Sequence, residues 1–173
     1  GNTFSIGDIG INADTIAAIG DLKNKTANQE IDATGLVVSP GFINMLSWAS
    51  AALNTDGRSL GDIKQGVTLE VFGEGTSMGP TKKVDTVNNT IEWISLNDKL
   101  NALVDKGVSP NIASFIGATT LRINTVGYED RAPTEEELDS MKIMVTQAME
   151  EGAMGIGSSL IYAPAFYSST EEL

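Results

Sequence analysis

One acidic residue lies where a catalytic group is easily presented. Glu74 stands between Gly73 and Gly75, directly after the apolar run Val67–Phe72. Glycines on both sides allow the backbone to approach a ligand and leave the carboxylate exposed. Such a carboxylate can accept a proton or offer an oxygen to a metal ion. Glu74 is therefore our candidate for catalytic base and for metal ligand, and the alternative is a tight turn containing an incidental acid.

Two residue types that usually accompany such an acid are missing. The 173 residues include no histidine and no cysteine. Without histidine the chain lacks the commonest metal ligand and general base, so it cannot form a Ser-His-Asp triad. Without cysteine, disulfides and thiolate metal sites are excluded too. A metal held by this chain alone would depend on carboxylates or lysine.

Composition narrows the class of partner. The chain is 41% hydrophobic, which suits one soluble domain with a core, and its net charge of -12 disfavours nucleic acid and anionic membrane surfaces. No apolar run reaches the roughly 18 residues that a membrane-spanning helix needs. No basic-then-apolar leader is visible at Gly1. The sequence does not specify the compartment, which is the cytoplasm or, if a leader was removed, the periplasm.

Glu74 follows one of several apolar runs that alternate with helical patterns. The strands predicted from apolar runs are Leu36–Val38, Val67–Phe72, Ile112–Ile116 and Ala153–Gly157. The predicted helices are Leu96–Lys106 and a segment that begins at the Thr134/Glu137 capping box and ends at Gly152. Units of roughly 35–40 residues in this order are typical of an α/β protein with a parallel sheet.

Other segments are less regular. Residues 4–22 predict two short strands joined at an Asn-Ala-Asp turn, and residues 81–97 follow no single period. Gly117–Arg122 is expected to continue the third strand or to begin its loop. Ser169 and Glu172 match a capping box, so a helix is predicted to start there, and we expect the chain to be a fragment of a longer protein.

Three motifs carry a resemblance to a known family. They are Pro40-Gly41-Phe42-Ile43, Gly66-Val67-Thr68 and the run from Ser158 to Pro164. Together they resemble the amidohydrolase superfamily, in particular its N-acyl-D-amino-acid deacylase (D-aminoacylase) branch, in its N-terminal portion. The resemblance implies the first half of a TIM-type (β/α)8 barrel, since a whole barrel needs about 250 residues. Residues 1–36 would then be a partial β-sandwich, and residues 37–173 the first four β/α units.

The motifs depart from the family where the metal would bind. The family continues Pro-Gly-Phe-Ile as Asp-x-His-x-His, with both histidines on the catalytic metal, whereas this chain has Asn44, Leu46 and Trp48. Leucine and tryptophan cannot ligate zinc. Gly75 stands at a family cysteine ligand and Ala118 at a further histidine. We expect Leu46 and Trp48 to fill the barrel core; the alternative is an apolar wall of the site.

The resemblance also names residues that would contact a substrate. Trp48 is a candidate as part of that apolar wall. Arg122 ends a stretch similar to the family's Gly-His-Gly-Thr-Leu-Arg, and its fork of donors suits a carboxylate, although a surface salt bridge is an equal alternative. Tyr162 matches a family tyrosine near the substrate, and the alternative is packing beneath the next loop.

Two functions of different classes follow. In the first, the full-length parent hydrolyses linear amide C–N bonds through a metal-activated hydroxide, and zinc is held by histidines of later strands, with Glu74 as an added ligand. In that case no cofactor is expected in this chain alone, which should be inactive. In the second, the barrel has lost its metal and acts as a binding or scaffold protein.

A nucleotide-binding sheet is a weaker third interpretation, because Gly73–Gly75 opens onto a proline-containing loop and not onto a helix. The partner expected is a small amide substrate, and open sheet edges predict self-association.

Overall fold

The computed structural model of the protein describes residues 6–173, which fall into two units, one ending at Ser39 and one beginning at Pro40. This division comes slightly later than the predicted boundary between residues 36 and 37. The assignments of the first unit to a partial β-sandwich and of the second to barrel units stay predictions. Within residues 6–173, no helix has the length and apolar content needed to cross a bilayer.

The first unit contains an antiparallel hairpin. Strand β1 (Asp8–Asn12) pairs with β2 (Thr15–Gly20), which confirms the two short strands and their Asn-Ala-Asp turn. Ala13 adopts a left-handed conformation with φ of 54° in that turn, as tight hairpins require. Residues 4 and 5, included in the prediction, lie outside the described part of the chain.

The second unit alternates strands and helices. In chain order it contains β3 (Phe42–Asn44), α1 (Ser50–Leu53), α2 (Leu60–Ile63), β4 (Val67–Phe72), β5 (Thr81–Asp85), β6 (Thr90–Ile94), α3 (Leu96–Lys106), β7 (Asn111–Ser114), β8 (Ile116–Gly117), α4 (Ala118–Thr125), α5 (Glu135–Glu150), β9 (Ile156–Gly157) and a 3-10 turn (Ala165–Tyr167). The mixed α/β class predicted from the sequence is confirmed.

The strands between the helices run parallel. β3, β4 and β7 form one sheet in that order, and β8 pairs with β9. Only Phe115 separates β7 from β8, and its N–H donates to the carbonyl of Phe72 at 2.9 Å. Four chain segments therefore lie side by side in one direction, as the pattern predicts, and their carboxyl ends point to the same edge.

The predicted first strand is wrong in its position. Leu36–Val38 is not extended into a ladder, and these side chains are largely exposed. Pairing begins only at Phe42, whose N–H donates to the carbonyl of Gly66 at 2.8 Å. Pro40 has no N–H to give a ladder. Three consecutive apolar residues alone do not distinguish a buried strand from an exposed connection.

The two long helices form where the sequence predicts them, and each begins at a capping box, of which only that of α5 was predicted. α3 begins after Ser95 in a capping box with Asp98, and α5 begins after Thr134 in a capping box with Glu137. In each box the hydroxyl accepts the N–H three residues on, and the acid accepts the N–H of the cap residue. The helices pack against the sheet through a cluster of Leu96, Ile116, Leu121, Val126, Met141 and Ala148.

Two segments differ from expectation or had no assignment. Gly117–Arg122 was expected to continue the third strand or to begin its loop, but only Gly117 belongs to a strand, and Ala118 already begins helix α4. The hydroxyl of Thr120 accepts the N–H of Ser77 at 2.9 Å. Residues 81–94 form the antiparallel hairpin β5–β6. Its turn places Asn89 at φ of 53°, a conformation that asparagine tolerates well.

The helix predicted to start at Ser169 is present as a single turn, in which the N–H of Leu173 donates to the carbonyl of Ser169 at 3.4 Å. The Ser169 hydroxyl accepts the N–H of Glu172 at 3.3 Å. The Glu172 carboxylate does not return to Ser169, because it pairs with Arg122 at 2.5 Å. A capping box needs both hydrogen bonds, and here the second is replaced by a distant partner.

Candidate active site at the carboxyl ends of the strands

The loops that follow the parallel strands are joined to one another. The N–H of Thr119 donates to the carbonyl of Gly75 at 2.9 Å, and the N–H of Gly117 donates to the hydroxyl of Ser77 at 3.0 Å. These bonds connect the loop after β4 with the end of β8 and the start of α4. The residues predicted to gather at one edge therefore do so for these two strands.

Glycines make this edge close-packed. A methyl group at Gly73 would overlap the carbonyl of Phe115, and one at Gly157 would overlap the carbonyl of Gly73. A methyl group at Gly75 would lie 2.9 Å from the Ser159 side chain. Gly73 and Gly75 also have φ of 95° and 75°, which side chains rarely adopt. Positions 73 and 75 therefore require glycine, and Glu74 is the only residue of this turn that can carry a side chain.

Glu74 and Trp48 line the same cavity. It has a volume of about 80 Å³ and is bounded also by Phe72, Ser77 and Met78. This is room for a few water molecules or one small functional group, since a water occupies about 30 Å³. The structure therefore brings together two of the four candidate site residues, an acid and an aromatic ring.

Trp48, Leu46 and Glu74 are each at least partly exposed in this chain. Trp48 is 62% exposed and Leu46 is about half exposed within this chain, and their placement in the core of a complete barrel stays a prediction. Glu74 is half-buried, and none of the ion pairs found within residues 6–173 involves it. A carboxylate outside these ion pairs that shares a cavity with a tryptophan can accept a proton from a bound water, and the tryptophan can flank an apolar group.

Arg122 lies elsewhere and is already occupied. Its side chain is buried, Nη1 donates to Glu172, and Nη2 donates to the carbonyls of Glu129 and Arg131 at 3.0 and 2.7 Å. The guanidinium does hold a carboxylate, but one of this chain, and not at the surface. Both terminal nitrogens therefore have partners within this chain, and a role of Arg122 in substrate binding stays a prediction.

Tyr162 follows β9 and is well exposed. Its carbonyl accepts the N–H of Phe166 at 2.9 Å within the turn, and its ring is not among the residues around the cavity of Glu74. The structure does not bring Tyr162 to Glu74 and Trp48. Its substrate contact stays a prediction.

Sequence reasoning missed a buried carboxylate that is hydrogen-bonded to Ser47, a residue that lines the cavity. Glu70 of β4 is 0% exposed; its Oε2 accepts the hydroxyl of Ser47 at 2.8 Å, and its Oε1 accepts the hydroxyl of Ser59 at 2.6 Å. The signal in the sequence was the lone acid in the apolar run VTLEVF. Charged side chains are rarely fully buried unless they are paired or hydrogen-bonded, so an acid at this position predicts hydrogen-bond donors close to it.

Known proteins are similar to this chain in fold and in sequence. A solved D-aminoacylase matches 97% of this chain with a TM-score of 0.85 and 32% identity, and 37% of that protein is covered. The D-aminoacylase of Alcaligenes xylosoxydans xylosoxydans is 34% identical over 96% of the chain and 36% of its own length. The chain is similar to D-aminoacylases, which are amidohydrolases, over nearly all of its length. Another solved relative is an N-acyl-D-glutamate deacylase of Bordetella bronchiseptica, in complex with zinc and a phosphonate inhibitor. It matches 96% of this chain and 37% of its own length, with a TM-score of 0.79 and 27% identity.

The match is limited in extent. This D-aminoacylase-like chain spans just over a third of the length of the curated relatives that it matches. One of these, an N-acyl-D-aspartate deacylase of the same Alcaligenes, is 28% identical over 96% of the chain. No family model matches the chain.

The donor set does not fit the metal centre that the relatives imply. A solved D-aminoacylase is described as having a binuclear metal centre. At the strand ends of this D-aminoacylase-like chain, Leu46, Trp48, Gly75 and Ala118 offer no ligand atom, which leaves Glu74. Within residues 6–173 no three histidine, cysteine, aspartate or glutamate side chains come together as a ligand group. One carboxylate does not make a zinc site, since such sites use three or four protein ligands.

Proposed function

We propose that this chain forms part of a hydrolase of linear amide C–N bonds, of the N-acyl-amino-acid deacylase type. The observation that carries the proposal is the match to solved D-aminoacylase over nearly the whole chain, together with an acid at the edge where the strand ends meet. The substrate class implied is a small N-acyl amino acid. Active sites of βα-barrels gather at this edge, which supports placing the reaction there.

The proposal includes a domain assignment. Residues 1–36 would be a partial β-sandwich, and residues 37–173 the first four β/α units of a TIM-type barrel, corresponding to the N-terminal portion of the relatives. Four parallel segments in chain order with helices between them support the barrel assignment. The rest of the barrel would be supplied by polypeptide equivalent to the remaining length of the relatives.

The chemistry assigned to this chain is proton transfer and positioning. A water oxygen attacks the amide carbonyl carbon, and its proton passes to the Glu74 carboxylate. The C–N bond then breaks, and the same proton goes to the departing nitrogen, so Glu74 ends as it began. The Trp48 ring flanks an apolar part of the substrate, and Tyr162 is proposed to approach the substrate from the loop after β9.

The direct test is hydrolysis of N-acetyl-D-amino acids, followed as release of free amino acid. A polypeptide of the relatives' full length that contains this chain is expected to hydrolyse at least one of a panel of them. The 173-residue chain alone is expected to be inactive. Hydrolysis by the purified chain itself, above a chelator-treated control, would overturn the second expectation. No hydrolysis of any panel member by the longer polypeptide would overturn the first.

One observation favours a second candidate, a barrel that binds without catalysis. The replacements proposed at the metal positions, Leu46, Trp48, Gly75 and Ala118, remove ligands from three strand ends together. Metal analysis of the longer polypeptide separates the candidates. Zinc near one equivalent, held by residues outside this chain, supports the hydrolase. No zinc together with no hydrolysis supports a binding or scaffold protein.

A further inference from the structure

The carboxylate of Glu70 is buried without a cation. No ion pair found within residues 6–173 includes it, and its two oxygens are instead satisfied by two serine hydroxyls. A charge placed in an apolar layer is costly unless it is hydrogen-bonded. An apolar residue would fill this strand position at a lower cost in desolvation free energy. The residues to which Glu70 is hydrogen-bonded must therefore explain its presence.

Its first partner belongs to the loop that carries Trp48. The Ser47 hydroxyl donates to Glu70 at 2.8 Å and accepts the N–H of Ala49 at 3.1 Å. The Ser47 N–H also donates to the carbonyl of Val71 at 2.9 Å. Ser47 is thereby fixed by three hydrogen bonds, two of which end on β4. The residue after it is Trp48, and its exposed ring has no comparable restraint of its own.

Its second partner belongs to the turn before α2. Ser59 donates to Glu70 at 2.6 Å and has φ of 43°, which a residue with a side chain seldom adopts. Surrounding contacts must hold such a conformation in place. Glu70 therefore ties two separate connections, the loop after β3 and the turn before α2, to the same position of β4.

We infer that Glu70 is a positioning residue for the candidate active site: acting through Ser47, it holds the Trp48 ring at the cavity that Glu74 also lines. Glu70 is not among the residues that line that cavity, whereas its partner Ser47 is. Its relevance to catalysis rests on the proposed function, but the placement of Trp48 can be measured without any activity.

The test uses Trp48 as its own reporter. The chain contains two tryptophans, so Trp93→Phe leaves Trp48 as the only one. In that background we compare Glu70→Ala, Glu70→Gln and Ser47→Ala with Glu92→Ala, a change at an exposed glutamate of β6. The readouts are the steady-state anisotropy of Trp48 and hydrogen exchange of the segment 45–49 relative to α5, at a temperature where circular dichroism is native.

Glu70→Ala is expected to lower the anisotropy and to speed exchange at the amides of Ser47 and Ala49, with α5 unchanged. Ser47→Ala should give the same change and add nothing to Glu70→Ala. Glu70→Gln, which can still accept one hydroxyl, should retain most of the wild-type anisotropy, and Glu92→Ala all of it. Unchanged Trp48 anisotropy in folded Glu70→Ala, or faster exchange of α5 to the same degree, would overturn the inference. If Glu70→Ala does not fold, the Ser47→Ala variant tests the inference, which then requires the Trp48 anisotropy of that variant to fall.

Discussion

Arg122 and Glu172 form a buried ion pair across 50 positions of the chain. Their Nη1 and Oε2 atoms are 2.5 Å apart, and the two side chains are 1% and 4% exposed. The pair joins α4 to the segment after the 3-10 turn. Removing one partner of a buried pair leaves an uncompensated charge and typically costs about 3–5 kcal/mol. We expect Glu172→Leu and Arg122→Met each to lower the free energy of unfolding by such an amount, measured by urea denaturation.

The double variant is the control for that expectation. Arg122→Met combined with Glu172→Leu removes both charges, and apolar replacements of buried pairs are often neutral or better. We therefore expect it to be more stable than either single variant. Purely additive losses in the double variant would show that the two side chains do not act as a pair.

Gly73 is predicted to be intolerant of even the smallest side chain. Gly73→Ala would place a methyl group onto the Phe115 carbonyl at a backbone φ of 95°. We expect a loss of about 2 kcal/mol or more in the free energy of unfolding. Gly61→Ala is the matched control, because its methyl group would meet no atom within 4 Å and lies in α2. That variant should be neutral or slightly stabilised. Equal effects of the two substitutions would contradict the packing described.

Stability at acid pH is predicted to depend on Glu137. The Arg131 guanidinium, followed by the N–H of Thr134, lowers the pKa of Glu137 from 4.5 to about 2. The unfolded chain therefore binds this proton at a higher pH than the folded chain does. The contribution is fully present above pH 4.5 and is lost as the pH falls towards about 2. Glu137→Gln should flatten the dependence of the urea midpoint on pH in that window.

Glu136→Gln is the control for that prediction. It makes the same change of charge in the first turn of α5, but Glu136 is in none of the ion pairs found within residues 6–173. Its acid slope should stay close to that of the unmodified chain. If both variants show the same slope, the ion pair with Arg131 is not the source of the acid sensitivity.

The isolated chain is predicted to self-associate. β3 lies at the edge of its sheet, and Phe42 and Ile43 on it are exposed. Unpaired edges with apolar side chains favour pairing with a second chain. Light scattering should report species larger than a monomer, and Ile43→Lys should shift them towards the monomer. A clean monomer of the unmodified chain would contradict this.

The features that were predictable from the sequence are local. The strand Val67–Phe72 and the starts of α3 and α5 are specified by apolar runs and by capping residues three positions apart. Interactions within a few residues of the chain can be read without knowing the fold.

The features that could not be predicted depend on distant partners. Arg122 was a candidate ligand for a substrate carboxylate, and its carboxylate partner within this chain, Glu172, lies 50 positions away. Leu36–Val38 looked buried because its composition suits a core strand, whereas pairing is decided by where Phe42 meets Gly66. The serines that satisfy Glu70 lie 23 and 11 residues away, so no short motif announces them.

The most direct measurement is the rate at which a polypeptide of the relatives' full length that contains this chain hydrolyses N-acetyl-D-amino acids. The rate is compared between the unmodified polypeptide, its Glu74→Gln variant and its surface variant Glu92→Gln. A positioned general base typically contributes about 10²–10⁴-fold. We predict that Glu74→Gln lowers kcat by at least about 100-fold with the fold intact, while Glu92→Gln leaves it unchanged. A Glu74→Gln protein that hydrolyses the substrate as fast as the unmodified one would contradict the role assigned to this edge of the sheet.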